Sequence, residues 1–287
     1  MQGRHAKDKG PGLPKLSELV LEHDDGRTIS AFAVPSGTNV RTGSAIAVKT
    51  IPPARFEFCP ICYESPADTK EHVPPQNFGG RVMTWTCARC NNTLGSRTEA
   101  AMQDWFDNAV RVHYTEGSDP RPFGHTRALI LTTAEGESVL MPERGSDPGD
   151  EFTSRLKSQG EVEAHFQFPR PEEYRAGFLK NAYLAAALHI GGVPDIPSAN
   201  EIRAELQTIL NASSRKSVVL GDHASKLRFH RTGTAATGPS LALLRNTSPD
   251  ECGHFISLAG TVLVSWPFPE IDPERFGRYP ITASIQD

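Results

Sequence analysis

CPICYESPADTKEHVPPQNFGGRVMTWTCARCNNTLG, residues 59–95, holds four of the chain's five cysteines in two C-x2-C pairs. Cys59 and Cys62 form the first pair, Cys87 and Cys90 the second, with 24 residues between them. Two residues between cysteines let a tight turn aim both sulfurs at one ion, and two such turns complete a tetrahedral thiolate site. The insert is somewhat longer than the roughly 15 to 20 residues usual between such pairs. Four thiolates close the coordination shell, so the expected zinc is structural and contributes to folding. Cys252 has no partner motif and reads as an ordinary thiol. A redox role is the competing reading of the pairs, but no βαβ pattern surrounds either one.

The order C-P-I-C, T-K-E-H-V-P-P, F-G-G, C-A-R-C-N-N-T-L-G resembles the zinc-containing HNH endonucleases, also called His-Me finger nucleases. The resemblance covers residues 59–97 and implies a β-hairpin followed by a helix, the ββα-metal fold, with a catalytic divalent ion between them. It implies His72 as general base. Glu71 takes the place of an acidic metal ligand, which is more often aspartate. Asn91 takes the place of the second ligand, with Asn92 as an alternative. Cys59, Cys62, Cys87 and Cys90 take the structural zinc positions.

The chemistry of these residue types agrees with that reading. An imidazole titrates near neutral pH and can take a proton from water. Mg²⁺ or Mn²⁺ prefers oxygen ligands, which Glu71 and Asn91 offer. Adjacent residues on a regular strand point to opposite faces, so Glu71 and His72 can share a site only if the backbone there is irregular. Pro74-Pro75 is consistent with such an irregularity. Arg81, Arg89 and Arg97 are candidate phosphate contacts. Gly79-Gly80 and Gly95 read as turn residues.

The rest of the chain sets the context. The 287 residues are 38% apolar and 22% charged, enough to bury a core. A formal net charge of -4 argues against a protein coated in basic surface, though not against a local nucleic-acid site. The N-terminus lacks the apolar core of a signal peptide, and no apolar run is long enough to span a bilayer. The expected localisation is cytoplasmic, with no membrane partner.

Three consecutive segments are expected: an N-terminal tail with a short β-rich stretch (1–54), the zinc unit (55–112), and a C-terminal α+β recognition region (113–287). Residues 1–15 read as disordered. Strands are expected at 28–34, 45–50, 126–133, 138–142, 162–168, 217–221, 226–231, 241–245 and 255–266. Helices are expected at 96–110, 171–190 and 198–212, two of them with capping-box spacing at Ser96/Glu99 and Ser198/Glu201. Loops are expected at 143–151 and 232–240. The overall expectation is an α+β protein with a small zinc-stabilised HNH unit embedded in it. Its function would be metal-dependent hydrolysis of nucleic acid, expected to be DNA, using structural zinc and catalytic Mg²⁺ or Mn²⁺. The alternative is a catalytically inactive zinc-stabilised module that binds nucleic acid or protein.

Overall fold

The computed structural model describes residues 15–22, 28–34, 45–116, 119–132, 138–143, 161–214, 217–231, 239–246, 253–275 and 279–285, with a few positions between 151 and 158. The fold is mixed α+β. In chain order it begins β1 (Lys15–Glu22), β2 (Thr28–Val34), β3 (Ala45–Thr50), β4 (Thr69–Val73), β5 (Arg81–Thr86) and α1 (Ala88–Phe106). It continues with β6 (Ala109–Glu116), β7 (Asp119–Thr132), β8 (Ser138–Pro142), β9 (Glu161–Gln167), α2 (Pro171–Ile190), β10 (Gly192–Pro194) and α3 (Pro197–Asn211). It ends with α4 (Asp222–Lys226), β11 (Phe229–Arg231), β12 (Leu241–Asn246), β13 (Gly253–Leu258), β14 (Val262–Ser265) and β15 (Ile281–Ser284).

The chain divides into two compact units, and these cut across the three consecutive segments expected from the sequence. One comprises residues 1–40 and 107–169, the other residues 41–106 and 170–287.

In the first unit, six antiparallel strands close into a barrel in the order β1-β2-β8-β7-β6-β9, with β9 returning to β1 through pairs such as Lys15↔Glu163. Closure joins the two terminal strands of the sheet, β1 and β9, through three residue pairs. The strands alternate as a one-sided sheet requires. Val110, Val112 and Tyr114 of β6 and Thr126 and Ala128 of β7 are buried, while Arg111, His125 and Arg127 are exposed.

The second unit is built around α2. Nearly every residue from Glu173 to His189 is buried, so this helix lies in the core and does not float on the surface with one apolar stripe. Pro171 at its start and Gly191 at its end, in the left-handed conformation, bound it as expected. Several of its buried polar side chains find backbone partners. Asn181 donates to the Gly177 carbonyl at 2.7 Å, and His189 Nε2 meets the Pro273 carbonyl at 2.8 Å. Phe178, Trp105, Phe229 and Tyr174 form an aromatic cluster with ring centres 4.6–6.3 Å apart. The unit also holds a five-stranded sheet, β11-β14-β13-β12-β3, a separate β4-β5 hairpin and a two-stranded β10-β15 sheet.

Several local expectations change. Helix α1 begins at Ala88, so Ser96 lies inside it and bonds back to the Thr93 carbonyl instead of capping. Ser198 is likewise not the cap of α3. Its backbone N–H and hydroxyl both donate to the Glu270 carboxylate, which satisfies the helix start from outside. The run 255–266 is two strands, because Ala259 and Gly260 adopt positive φ and turn the chain. Residues 217–221 form no strand, and 226–231 is a short helix end followed by β11. Of the disordered tail expected at 1–15, Lys15 instead opens β1, and residues 1–14, most of both expected loops, and Cys252 lie outside the described residues. Among the described residues, no helix is long and apolar enough to cross a membrane.

Candidate functional site

The two cysteine pairs converge. All four sulfurs lie within 4.8 Å of one another. The Sγ atoms of Cys62 and Cys87 stand 3.8 Å apart. A tetrahedron with Zn–S of about 2.3 Å has edges of about 3.8 Å, so the cluster could hold a metal such as zinc. Local backbone geometry prepares both knuckles. Cys59 N–H donates to the Ser65 carbonyl and Tyr63 N–H to the Cys59 carbonyl, with Tyr63 at φ 61. The second knuckle is the first turn of α1, where Cys90 N–H points at Cys87 Sγ. Among the thiols, the Cys90 hydrogen bond holds Cys59 down to about 5, while the same bond and burial push Cys90 up. Burial also raises Cys87.

The knuckles are anchored by the core helices, a support the motif itself does not announce. Tyr183 of α2 donates its hydroxyl to the Pro60 carbonyl at 2.8 Å. Complete burial holds that phenol well above its ordinary pKa, so it remains a donor. Gln207 of α3 donates to the Ile61 carbonyl, and the Arg203 guanidinium lies 4.1 Å from the Tyr63 ring centre.

Between the knuckles run β4 and β5, and α1 follows directly. The hairpin's turn region is tight. Gly79 adopts φ 80, and a Cβ on Gly80 would lie 1.6 Å from the Pro74 carbonyl oxygen. Gly95, by contrast, lies inside α1 and serves no turn. The hairpin is irregular where the sequence requires it. Glu71 pairs with Thr84 but His72 pairs with Val82, so Met83 is an extra residue in β5. The Met83 carbonyl turns to accept from Ala54 N–H at 2.9 Å. Ser240 ties the hairpin down, donating to the Val73 carbonyl and accepting from Arg81 N–H.

This irregularity does not bring the three candidate residues into one cluster. The alternation of burial along β4 is kept, with Glu71 and Val73 buried and Lys70 exposed and His72 half-exposed. Glu71 turns into the core, 3% exposed. Its Oε1 accepts from Lys180 Nζ at 2.8 Å and its Oε2 from Thr86 Oγ1 at 3.1 Å. Asn91, in the first turn of α1, reaches β4. Its Nδ2 donates to the Lys70 carbonyl at 2.7 Å, two residues before His72. Asn91 is thus joined to the strand that carries His72, while Glu71 faces the other way.

The expected divalent ion fits these residues poorly. It needs oxygen ligands at about 2.0–2.1 Å in near-octahedral order and keeps several waters. Glu71 offers neither water access nor a free oxygen, because an ammonium and a hydroxyl already occupy its carboxylate. Asn91 keeps its amide oxygen for such a role, and Asn92 is exposed.

Two of the three candidate arginines are engaged elsewhere. Arg97 donates to the Ile209 and Ala212 carbonyls at 2.6 and 2.7 Å, closing the C-terminus of α3, and Arg89 donates to Asn211. Arg81 is exposed at the hairpin, opposite Val73. The sequence signal for Lys180 was a lone charge inside the apolar run FLKNAYLAAALHI, a pattern that asks for a buried partner. No family model, curated protein or solved structure matches this chain, so its likeness to HNH nucleases rests on residues 59–97.

Proposed function

We propose that this chain is an endonuclease of HNH type that hydrolyses phosphodiester bonds in nucleic acid, with DNA the expected substrate and His72 as general base. The observation that carries the reading is the unit itself: a hairpin with a converging cysteine pair before it and another after it at the start of a helix, and a partly water-accessible imidazole on the hairpin. Zinc at that cluster would tie both ends of the segment together, fixing β4 against α1 without a large local core.

The chain's own groups suggest a division of labour. His72 takes the proton from an attacking water. Asn91 holds the helix start against the strand two residues from His72. Lys70, on the same side of β4, and Arg81, beside the partner of His72 on β5, supply positive charge for a phosphate. Glu71 stays outside this chemistry, because Lys180 and Thr86 hold its carboxylate in the core.

One observation favours a second reading. The burial of Glu71 against Lys180 is what a non-cleaving, nucleic-acid-binding module of this shape would show. The test is nicking of supercoiled plasmid by wild type and His72→Ala, matched for zinc content, in Mg²⁺, in Mn²⁺ and in a chelator of those ions. The nuclease reading expects nicking by wild type alone. Equal nicking by both removes His72 as base. Binding of DNA without cleavage by either protein supports the second reading.

A further inference from the structure

The barrel carries a feature independent of the nuclease reading. Strands β7, β6 and β9 are neighbours, and His113 of β6 is in direct register with His125 of β7 and with His165 of β9. Three histidines therefore form one row across three adjacent strands. They share the outer face. Val112, Tyr114, Thr126 and Ala128 alternate inward, while His125 and His165 are exposed and His113 is half-exposed.

Directly paired residues on antiparallel strands place their Cβ atoms about 4.5–5.5 Å apart. The His113 and His125 rings have centres 6.3 Å apart and planes inclined by 37°. Two imidazoles on one tetrahedral ion, with metal–nitrogen bonds of about 2.0–2.1 Å, have ring centres about 5 Å apart. Rotation about χ1 and χ2 closes that gap for His113 and His125, and His165, in register on the other side of His113, has to turn toward it in the same way for all three imidazoles to meet one ion. The neighbouring row contains Arg111 and Arg127, and Arg127 is offset by Glu143 at 3.4 Å.

We propose that His113, His125 and His165 together bind one borderline divalent transition-metal ion, of the nickel or zinc type, on the outer face of the barrel. Three imidazoles leave a coordination position open to water or an anionic ligand, unlike the closed thiolate cluster. The site draws ligands from three strands, so an occupied site also pins the β7-β6-β9 register.

The experiment is calorimetric titration of tag-free, full-length protein with Ni²⁺ near neutral pH, its zinc content measured beforehand and unchanged afterwards. The result expected is one Ni²⁺ bound per chain with micromolar affinity. Each of His113→Ala, His125→Ala and His165→Ala weakens it at least about tenfold. Arg111→Ala leaves the affinity equal or higher. Arg111, His125 and His165 are exposed and His113 lies partly covered on the same outer face, and thermal melts verify that all four variants fold. Absence of Ni²⁺ binding by wild type, or unchanged affinity in any of the three histidine variants, overturns the proposal.

Discussion

Replacing Lys180 with methionine tests the interior of the second unit most directly. The Lys180 and Glu71 side chains are 5% and 4% exposed and meet at 2.8 Å, and Thr86 satisfies the other carboxylate oxygen. Lys180→Met keeps the volume of the stem but leaves Glu71 as a buried charge with one hydroxyl partner. Breaking such a pair from one side costs about 3–5 kcal/mol. For a cooperative unit of this size, at about 2–4 °C per kcal/mol, Tm falls by about 6–20 °C. The double variant Glu71→Gln/Lys180→Met removes both charges and restores most of that loss, because a well-packed apolar replacement of a buried pair is often neutral or better. Urea unfolding of the four proteins gives the coupling energy by a double-mutant cycle. Millimolar Mn²⁺ gives the wild type no rise in Tm that depends on Glu71, since the ammonium holds the position a cation would take there. A Lys180→Met cost below about 1 kcal/mol, additive single variants, or Mn²⁺ stabilisation that depends on Glu71 would refute the reasoning.

Four other perturbations have defined outcomes. Gly80→Ala forces a Cβ to 1.6 Å from the Pro74 carbonyl oxygen and is expected to cost about 3 kcal/mol or more in urea unfolding. Gly95→Ala meets only the flexible end of Glu99 and is expected to be neutral or to stabilise α1 by up to about 1 kcal/mol. Burial pushes the Tyr114 phenol up to about 12 from 10.0, so the stability it contributes is intact below pH 10.0 and lost as pH rises toward 12. The slope is about 1.4 kcal/mol per pH unit, and Tyr114→Phe should flatten the stability profile of the barrel across that window. Elemental analysis is expected to give one zinc per chain, and Cys59→Ser to lose both the zinc and the protease resistance of residues 55–106; a resistant, zinc-free variant would separate the cluster from folding.

Much of the local structure was legible from single segments. α2 was readable because Pro171 and Gly191 punctuate a long apolar run, and the β3, β8 and β12 segments because short apolar runs sit between turn residues. The four cysteines were readable because C-x2-C spacing carries its geometry with it. The irregularity beside His72 was also anticipated, although the extra residue belongs to β5, not to the strand that carries the prolines. What failed locally did so for an identifiable reason. Ser96 and Ser198 have capping-box spacing, but α1 starts earlier, on the second knuckle, and α3 is capped by Glu270 from a distant loop.

The sequence by itself determined which residues could chelate a metal and which could move a proton, because those properties belong to side-chain type and short spacing. Tertiary structure decided which of them are available. It gave Glu71 to Lys180, 109 positions away, and so removed it from water. It gave Arg97 to the end of α3, while leaving His72 accessible. The barrel and its row of histidines have the same origin. β1 and β9 pair across most of the chain's first half, and His113, His125 and His165 align only through strand register. Register depends on which strands share a core, and that information is not stored in any one segment.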